Sequence, residues 1–257
     1  MTTETPAVHL EPDAGVLLIT ISRPEARNAV NTAVAEGIAA ALELLDSDPE
    51  LQVGILTGAG GTFCAGMDLK GFATGERPWV GDRGFAGITQ RAARKPLIAA
   101  VEGYALAGGF EIALSCDLIV AASDARFGIP EVKRGLVAGA GGLIRLPKRM
   151  PYHLAMEMAL TGDPISAERA FEVGVVNRLV EPGQAVGTAR EIAATIARNG
   201  PLAVDASKRI VTGALDWTEE EAWARQGEIA GPVFASADAI EGARSFAEKR
   251  DPVWTGA

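Results

Sequence analysis

The stretch Leu97–Glu131, LIAAVEGYALAGGFEIALSCDLIVAASDARFGIPE, contains the features that decide the predicted fold. It begins with a short apolar run, bounded upstream by Pro96, that is typical of a buried strand. A glycine-containing turn follows, and Gly108 and Gly109 then open an apolar helical pattern. The first turn of a helix exposes unpaired N–H groups, and glycine lets a ligand oxygen approach the backbone closely. The stretch therefore predicts a strand, a turn and a helix start that can bind an oxyanion.

Two glutamates accompany that predicted helix start. Glu111 lies within its first turn, and Glu131 follows a second apolar run and Pro130. A glutamate in a first turn often only complements the helix dipole, and one after a proline often only begins a helix. Each carboxylate alone is therefore more often structural than catalytic. Together with the glycines, the pair indicates a site where two carboxylates face one oxyanion-binding backbone.

The composition bounds the class of protein. The 257 residues suffice for one large domain with a small extension, and 48% hydrophobic residues can form a sizeable core. A net charge of −9 is atypical of a nucleic-acid binder, which normally carries a basic face. Cys64 and Cys116 have neither disulfide nor metal-ligand spacing, which predicts buried free thiols and no metal. Such thiols fit the reducing cytoplasm.

Neither targeting nor membrane insertion is expected. Met1–Pro6 is polar and lacks the apolar core of a signal peptide. Leu97–Cys116 has the length of a membrane span, but it contains Glu102 and Glu111. Because a charge at mid-span costs about 2.5–3.5 kcal/mol, we predict no transmembrane helix and no membrane partner.

The first third of the chain reads as strand, helix and strand, which is typical of α/β units. The strands are predicted at Val16–Ser22 and Val53–Thr57. Between them, a helix is predicted from a cap at Asn31 or Thr32 to about Asp46.

A second glycine-rich segment, GAGGTFCAGMDL at Gly58–Leu69, follows the second of these strands. It is not a dinucleotide fingerprint, because Phe63 stands where the third glycine belongs. Asp68 is predicted to cap a helix, which makes the N–H of Met67 a second free donor at a helix start. Phe72–Gly87 is predicted as an irregular, mobile loop that shapes a pocket.

The remaining pattern is mainly helical. A helix is predicted at Gly87–Arg94, and four glycines at Gly135–Gly142 precede a helix that Pro147 and Pro151 should interrupt. From Gln184 onward, every predicted element is a helix.

Five segments stand in order along nearly the whole chain: SRPEARNAV, FCAGMDL, PLIAAVEGYALAGGFEIALSCD, ARFGIPEVKRGLVAGAGG and MALTGDPISAERAFEVGVVNRLV, with EGARSFAEKRDPVW near the end. Together they resemble the crotonase superfamily, also called the enoyl-CoA hydratase/isomerase family. The resemblance implies an α/β fold, a crotonase-like spiral of ββα units with a C-terminal helical lobe. We expect the spiral core with the acyl-CoA site at residues 1–195 and a helical trimerisation lobe at 196–257. The resemblance also implies a homotrimer or a homohexamer, a dimer of trimers.

The resemblance further assigns roles by motif position. It places the oxyanion hole at the N–H groups of Met67 and Gly108, and the two hydratase glutamates align with Glu111 and Glu131. We expect Glu131 to carry the main proton transfer and Glu111 to hold the water. Ala107 departs from the glycine that many hydratases have, but the donor glycine is retained. Substrate contacts are implied at Ala26, Arg27, Ala29, Ala65, Gly66, Asp68 and Leu69.

Two basic pairs are candidates for the CoA phosphates or adenine. Arg23 and Arg27 lie in the loop that the family places there, although a solvated surface pair is the simpler explanation. Lys249 and Arg250 could contribute from a neighbouring subunit.

The leading hypothesis is the reversible addition of water to a 2-enoyl-CoA. It requires no cofactor, because coenzyme A is part of the substrate. Within the family, an enoyl-CoA isomerase and a carnitinyl-CoA-type dehydratase stay open. From other classes, the alternatives are a cysteine-dependent acyl transferase using Cys64 or Cys116 and a non-catalytic acyl-CoA-binding protein.

Overall fold

The structure, a computed structural model, describes residues 6–257. The expected absence of a signal peptide concerns Met1–Pro6, and residues 1–5 lie outside the described part. The strands are β1 Val8–Asp13, β2 Val16–Ile21, β3 Val53–Gly58, β4 Trp79–Val80, β5 Gly84–Phe85, β6 Leu97–Val101, β7 Tyr104–Leu106, β8 Leu118–Ala122, β9 Arg126–Gly128, β10 Ile165–Ser166 and β11 Arg178–Val180. The helices are α1 Thr32–Ser47, α2 Leu69–Ala73, α3 Gly108–Ala113, α4 Gly142–Arg149, α5 Tyr152–Thr161, α6 Ala167–Glu172, α7 Ala185–Ala197, α8 Pro201–Ala214, α9 Glu219–Phe234 and α10 Ala237–Glu248.

The main sheet has six strands in the order β1-β2-β3-β6-β8-β11. Strand β1 is antiparallel to β2, and the other neighbours are parallel. An apolar row crosses it, with Leu18 opposite Ile55, Ile55 opposite Ile98 and Ile98 opposite Leu118. Parallel strands are covered on both faces, which is why β3 and β6 read as continuous apolar runs in the sequence.

A strand–strand–helix unit repeats along the chain. Strand β6 of the main sheet leads into β7 of a second, three-stranded sheet and then into α3. Strand β8 leads in the same way into β9 and a 3-10 turn at Pro130–Arg134. Strand β3 leads to a bridge between Cys64 and Ala105 and then to α2. The predicted ββα spiral is therefore confirmed.

The strand–helix–strand prediction for the first third is also confirmed. The side chain of Asn31 caps α1 by accepting from the N–H of Val34 at 3.0 Å. One face of α1 is apolar and buried, including Ile38, Leu42 and Leu45. Helix α1 thus covers the sheet as its sequence pattern requires.

The segment after α2 differs from its prediction. Instead of being irregular throughout, it contains the antiparallel hairpin of β4 and β5. The helix predicted at Gly87–Arg94 is wrong, because these residues form a turn followed by bends and irregular backbone. Gly87 has φ +69°, and a Cβ there would overlap the carbonyl oxygen of Ala35. The N–H of Gln90 donates to the carbonyl of Arg83 at 2.9 Å, which closes a loop instead of a helical turn.

Pro147 does not interrupt its helix, contrary to prediction. Helix α4 continues through it to Arg149, and Pro151 then stands at the N-cap of α5. Within a helix, Pro147 removes one hydrogen bond, the one to the carbonyl of Leu143. Leu143 is exposed, so water can satisfy that carbonyl at small cost.

The chain divides into two compact units, one ending at Ala193 and the other comprising Ala194–Ala257. In the second unit, a capping box joins Thr218 and Glu221 at the start of α9. The buried carboxylate of Asp238 accepts from the backbone N–H groups of Thr255 and Gly256 and thereby fixes the C-terminal tail. The expected roles of the two parts, an acyl-CoA site and a trimerisation lobe, stay predictions.

Within residues 6–257, no helix combines the length and the apolar character that a bilayer crossing requires.

Candidate active site

Two backbone segments that follow neighbouring strands lie side by side. The N–H of Cys64 donates to the carbonyl of Tyr104 at 2.9 Å, and the N–H of Leu106 donates to the carbonyl of Cys64 at 3.0 Å. Gly66 has φ +100°, and a Cβ there would lie 3.2 Å from the amide nitrogen of Gly108. The segment before Met67 therefore reaches Gly108 directly.

Met67 and Gly108 both present unpaired amide groups. On either side of Met67, the carbonyl of Gly66 accepts from Val30 and the N–H of Asp68 donates to Val30. Within residues 6–257, neither the N–H of Met67 nor that of Gly108 has an acceptor. Since Gly108 is the first residue of α3, its N–H also lies at the positive end of the helix.

Glu111 is held in place by a glycine-rich loop. Its Oε1 accepts from the backbone N–H groups of Ala140 and Gly142, both at 2.8 Å, and the residue is 3% exposed. Burial raises the pKa of Glu111, while these two N–H groups and the nearby Arg145 oppose the rise. The loop thus fixes one carboxyl oxygen and favours the anion against its burial.

Glu131 has different surroundings. Burial raises its pKa to about 7, and the charge of Glu111 adds to the rise. Its Oε2 is buried and has no hydrogen-bond partner in the part of the chain that the structure describes. A carboxyl group with a pKa near neutrality can both accept and release a proton, as general acid–base catalysis requires.

One cavity of about 440 Å³ brings these groups together. Met67, Gly108, Glu111 and Glu131 line it, and so do Ala65 and Leu69 from the predicted substrate contacts. Its apolar wall consists mainly of Phe72, Trp79, Phe85, Leu136 and Val137. The cavity therefore combines two carboxyl groups and two free amides with an apolar chamber.

The other predicted substrate contacts lie outside this lining. Ala26, Arg27 and Ala29 belong to the loop after β2, where Arg27 is exposed and its carbonyl accepts from the N–H of Ala65. Asp68 caps α2 and pairs with Arg23 at 3.1 Å.

The second basic pair belongs to the other unit. Arg250 forms ion pairs with Glu241 and Glu248, and Lys249 ends α10 with a φ of +55°.

Both cysteines are buried and neither forms a disulfide, as predicted. Burial raises the pKa of Cys64 to about 12. Because the thiolate is the nucleophilic form, this thiol is a poor nucleophile at neutral pH. Neither cysteine lines the cavity.

Comparison with known proteins adds to this geometry. The family model described as "Enoyl-CoA hydratase/isomerase" matches residues 11–257. The chain belongs to this family. The predicted family and its fold are thereby confirmed.

Several members of the enoyl-CoA hydratase/isomerase family are similar over their full length. An enoyl-CoA hydratase structure from Mycobacterium tuberculosis H37Rv is 60% identical, with a TM-score of 0.96 over 98% of this chain and 100% of that one. A carnitinyl-CoA hydratase structure from Mycobacterium avium is 45% identical, with a TM-score of 0.80 over 99% and 100%. A carnitinyl-CoA dehydratase of Salmonella enteritidis PT4 is 44% identical over 97% of this chain and 98% of its own.

Some residues of the cavity and its supports were not predicted from the sequence. The amides of Ala140 and Gly142, which hold Glu111, lie in the glycine cluster noted at Gly135–Gly142, and that cluster was the available signal. The segment Phe72–Gly87 was predicted to shape a pocket, but no pattern singled out Trp79 and Phe85 within it, because a two-residue strand is too short to show a period.

Proposed function

We propose that this chain is an enoyl-CoA hydratase, a hydro-lyase that adds water reversibly to the double bond of a 2-enoyl-CoA. The observation that carries the proposal is that the carboxyl groups of the buried Glu111 and the half-buried Glu131 line the same cavity as two unpaired amides. The predicted hydratase agrees with the names of the similar proteins.

The chemistry assigns a role to each group. Addition of water to the β-carbon builds negative charge on the thioester oxygen, which the N–H groups of Met67 and Gly108 stabilise. Each such donor is worth about 2.7–4 kcal/mol in comparable sites. Glu131 takes the proton from the attacking water, and Glu111 holds that water with the oxygen that the loop leaves free. The proton that completes the product is delivered to the α-carbon from the carboxyl pair.

The cavity favours an apolar acyl chain. Beyond the charged groups its wall is mainly aliphatic and aromatic, and Trp79 and Phe85 stack edge to face with centroids 5.2 Å apart. The charged groups at the wall are the two glutamates together with Lys133 and Arg134. We propose that the substrate is an acyl-CoA with an uncharged chain and that no further cofactor takes part.

A carnitinyl-CoA dehydratase is the second candidate, because relatives at 44–45% identity carry that name or a closely similar one. It would use the same groups to eliminate or add water, but its acyl group carries a quaternary ammonium. An aromatic cage suits such a cation. In this chain the guanidinium of Arg77 lies 4.1 Å from the ring centre of Phe72, so this aromatic ring already contacts a cation of the protein itself.

The test is hydration of a panel of enoyl-CoA thioesters, followed by loss of their conjugated ultraviolet absorbance. We expect activity on apolar chains and a fall in kcat of about 100-fold to 10,000-fold for Glu131→Gln with unchanged circular dichroism. No hydration of any thioester would contradict the proposal. Preference for crotonobetainyl-CoA would favour the dehydratase, and conversion of a 3-enoyl-CoA without hydration would favour the isomerase. Full activity of Glu131→Gln would instead fit a site that only binds acyl-CoA.

We further propose that the protein is a homotrimer or homohexamer and that it is cytoplasmic. Large exposed apolar side chains on the second unit, such as Phe234 and Phe246, support an association surface. Two buried cysteines that form no disulfide suit a reducing compartment.

A further inference from the structure

Arg145, on α4, links two segments that border the cavity. One guanidinium nitrogen, Nη2, donates to the carbonyl of Thr89 at 2.6 Å, and the other, Nη1, donates to the carbonyl of Ala140 at 3.4 Å. The guanidinium also lies against Gly141, where φ is +103° and a Cβ would overlap Nη1. The side chain therefore requires a glycine beside it and connects two loops that are distant in sequence.

The first of these loops is the one that holds Glu111. The N–H groups of Ala140 and Gly142 both donate to Glu111 Oε1, and Arg145 binds the carbonyl of Ala140 between them. A Cβ on Gly142 would lie 3.1 Å from Cγ of Glu111, so the loop and the glutamate are already in close contact. A shift of the loop would therefore move the carboxylate.

The second loop follows strand β5, which carries Phe85. Phe85 lies against the predicted oxyanion donor, because a Cβ on Gly108 would be 2.5 Å from Cε1 of Phe85. By holding the carbonyl of Thr89, Arg145 braces this side of the cavity too.

From these contacts we propose that Arg145 is a positioning residue, which fixes the 139–142 loop so that Glu111 keeps its place and its charge during hydration. Arg145 does not line the cavity, so it acts through the loop and not on the substrate. The inference rests on the proposed hydratase function, but one of its tests does not require activity.

Few charged groups lie around Glu111 and Arg145. Glu111 faces Arg145 on α4 and Glu131 on the 3-10 turn, and Arg145 also faces the thiol of Cys116 and the guanidinium of Arg149. Arg145 opposes the burial that raises the pKa of Glu111. Its removal should therefore raise that pKa further, and the acid limb of the rate profile should move to higher pH.

Arg149 supplies a matched control. It stands one turn further along α4, is half-buried like Arg145 and donates to the carbonyl of Leu114 instead of to the 139–142 loop. We would prepare Arg145→Met, Arg145→Lys and Arg149→Met and compare their melting temperatures first. If Arg145→Met is too unstable to measure, Arg145→Lys can be used in its place, because it keeps a positive charge near the loop.

For Arg145→Met we expect kcat to fall between about 10-fold and 100-fold with KM nearly unchanged, because a displaced catalytic group lowers the rate more than binding. Arg145→Lys should recover part of kcat, and Arg149→Met should match the wild type. A carbon-detected NMR titration of the Glu111 carboxyl, assigned with Glu111→Gln, should show a raised pKa only in Arg145→Met. An unchanged Glu111 pKa, or equal losses in Arg145→Met and Arg149→Met, would overturn the inference. If the wild type hydrates nothing, the proposed function fails while the titration still decides this inference.

Discussion

Protonation of Glu131 should make the stability of the folded chain depend on pH. Burial raises its pKa from 4.5 to about 7, so between these pH values the folded chain keeps a proton that the unfolded chain has released. The stability that this group contributes is present below about pH 4.5 and is lost as the pH rises through about 7. The whole change amounts to about 3 kcal/mol.

Glu131→Gln should therefore become more stable relative to the wild type as the pH rises. We expect the difference in unfolding free energy to grow by up to about 3 kcal/mol between pH 4.5 and pH 7.5. Denaturant unfolding at equal protein concentration measures it, and matched concentrations remove any effect of association. If the two stability curves run parallel across this range, Glu131 does not hold a raised pKa.

Among the structural elements, the β4–β5 hairpin depends on one buried cation, the guanidinium of Arg83. Arg83 is 2% exposed; its guanidinium pairs with Glu43 on α1 at 2.7 Å and donates to the carbonyl of Arg91 at 2.9 Å. These bonds hold the hairpin that carries Trp79 and Phe85 into the cavity wall. The ion pair therefore fixes the shape of the proposed acyl site from outside it.

Replacing Glu43 should loosen this hairpin. Glu43→Gln removes the anion from a buried guanidinium, so trypsin should cut the segment 77–91 faster and KM for apolar enoyl-CoA should rise more than kcat falls. Asp82→Asn is the control, because Asp82 pairs only with the exposed Arg91 among the contacts described for residues 6–257. Equal proteolysis rates for wild type and Glu43→Gln would show that the ion pair does not hold the hairpin.

The same hairpin shows where the sequence was insufficient. Helix α1 was predicted closely because its apolar periodicity extends over several turns, and β6 because it is a continuous apolar run bounded by Pro96. The helix predicted at Gly87–Arg94 was wrong because the contact of Gly87 with α1, which no local pattern encodes, decides that backbone. Sequence motifs predicted the positions of Glu111 and Glu131. They did not predict that Glu111 alone is held by two backbone N–H groups of the 139–142 loop and that Arg145 contacts this loop.

For the protein as a whole, net charge and exposed apolar surface have opposite effects on the association of chains. Each chain carries a net charge of −9, so like-charged copies repel one another at low salt. The second unit nevertheless exposes large apolar side chains, with Trp223 71%, Phe234 81% and Phe246 87% exposed. Burying such side chains contributes about 1.5–3 kcal/mol each, which can offset the repulsion.

Light scattering after size exclusion should therefore give three or six times the mass of one chain, and added salt should favour the assembly because it screens the repulsion. Phe246→Glu should shift the mass toward a single chain, since it places a charge where an apolar contact is expected. Gln226→Glu adds the same charge at an exposed polar position of α9 and should leave the assembly intact. A wild type of single-chain mass, or equal dissociation in both variants, would show that these side chains do not hold copies of the chain together.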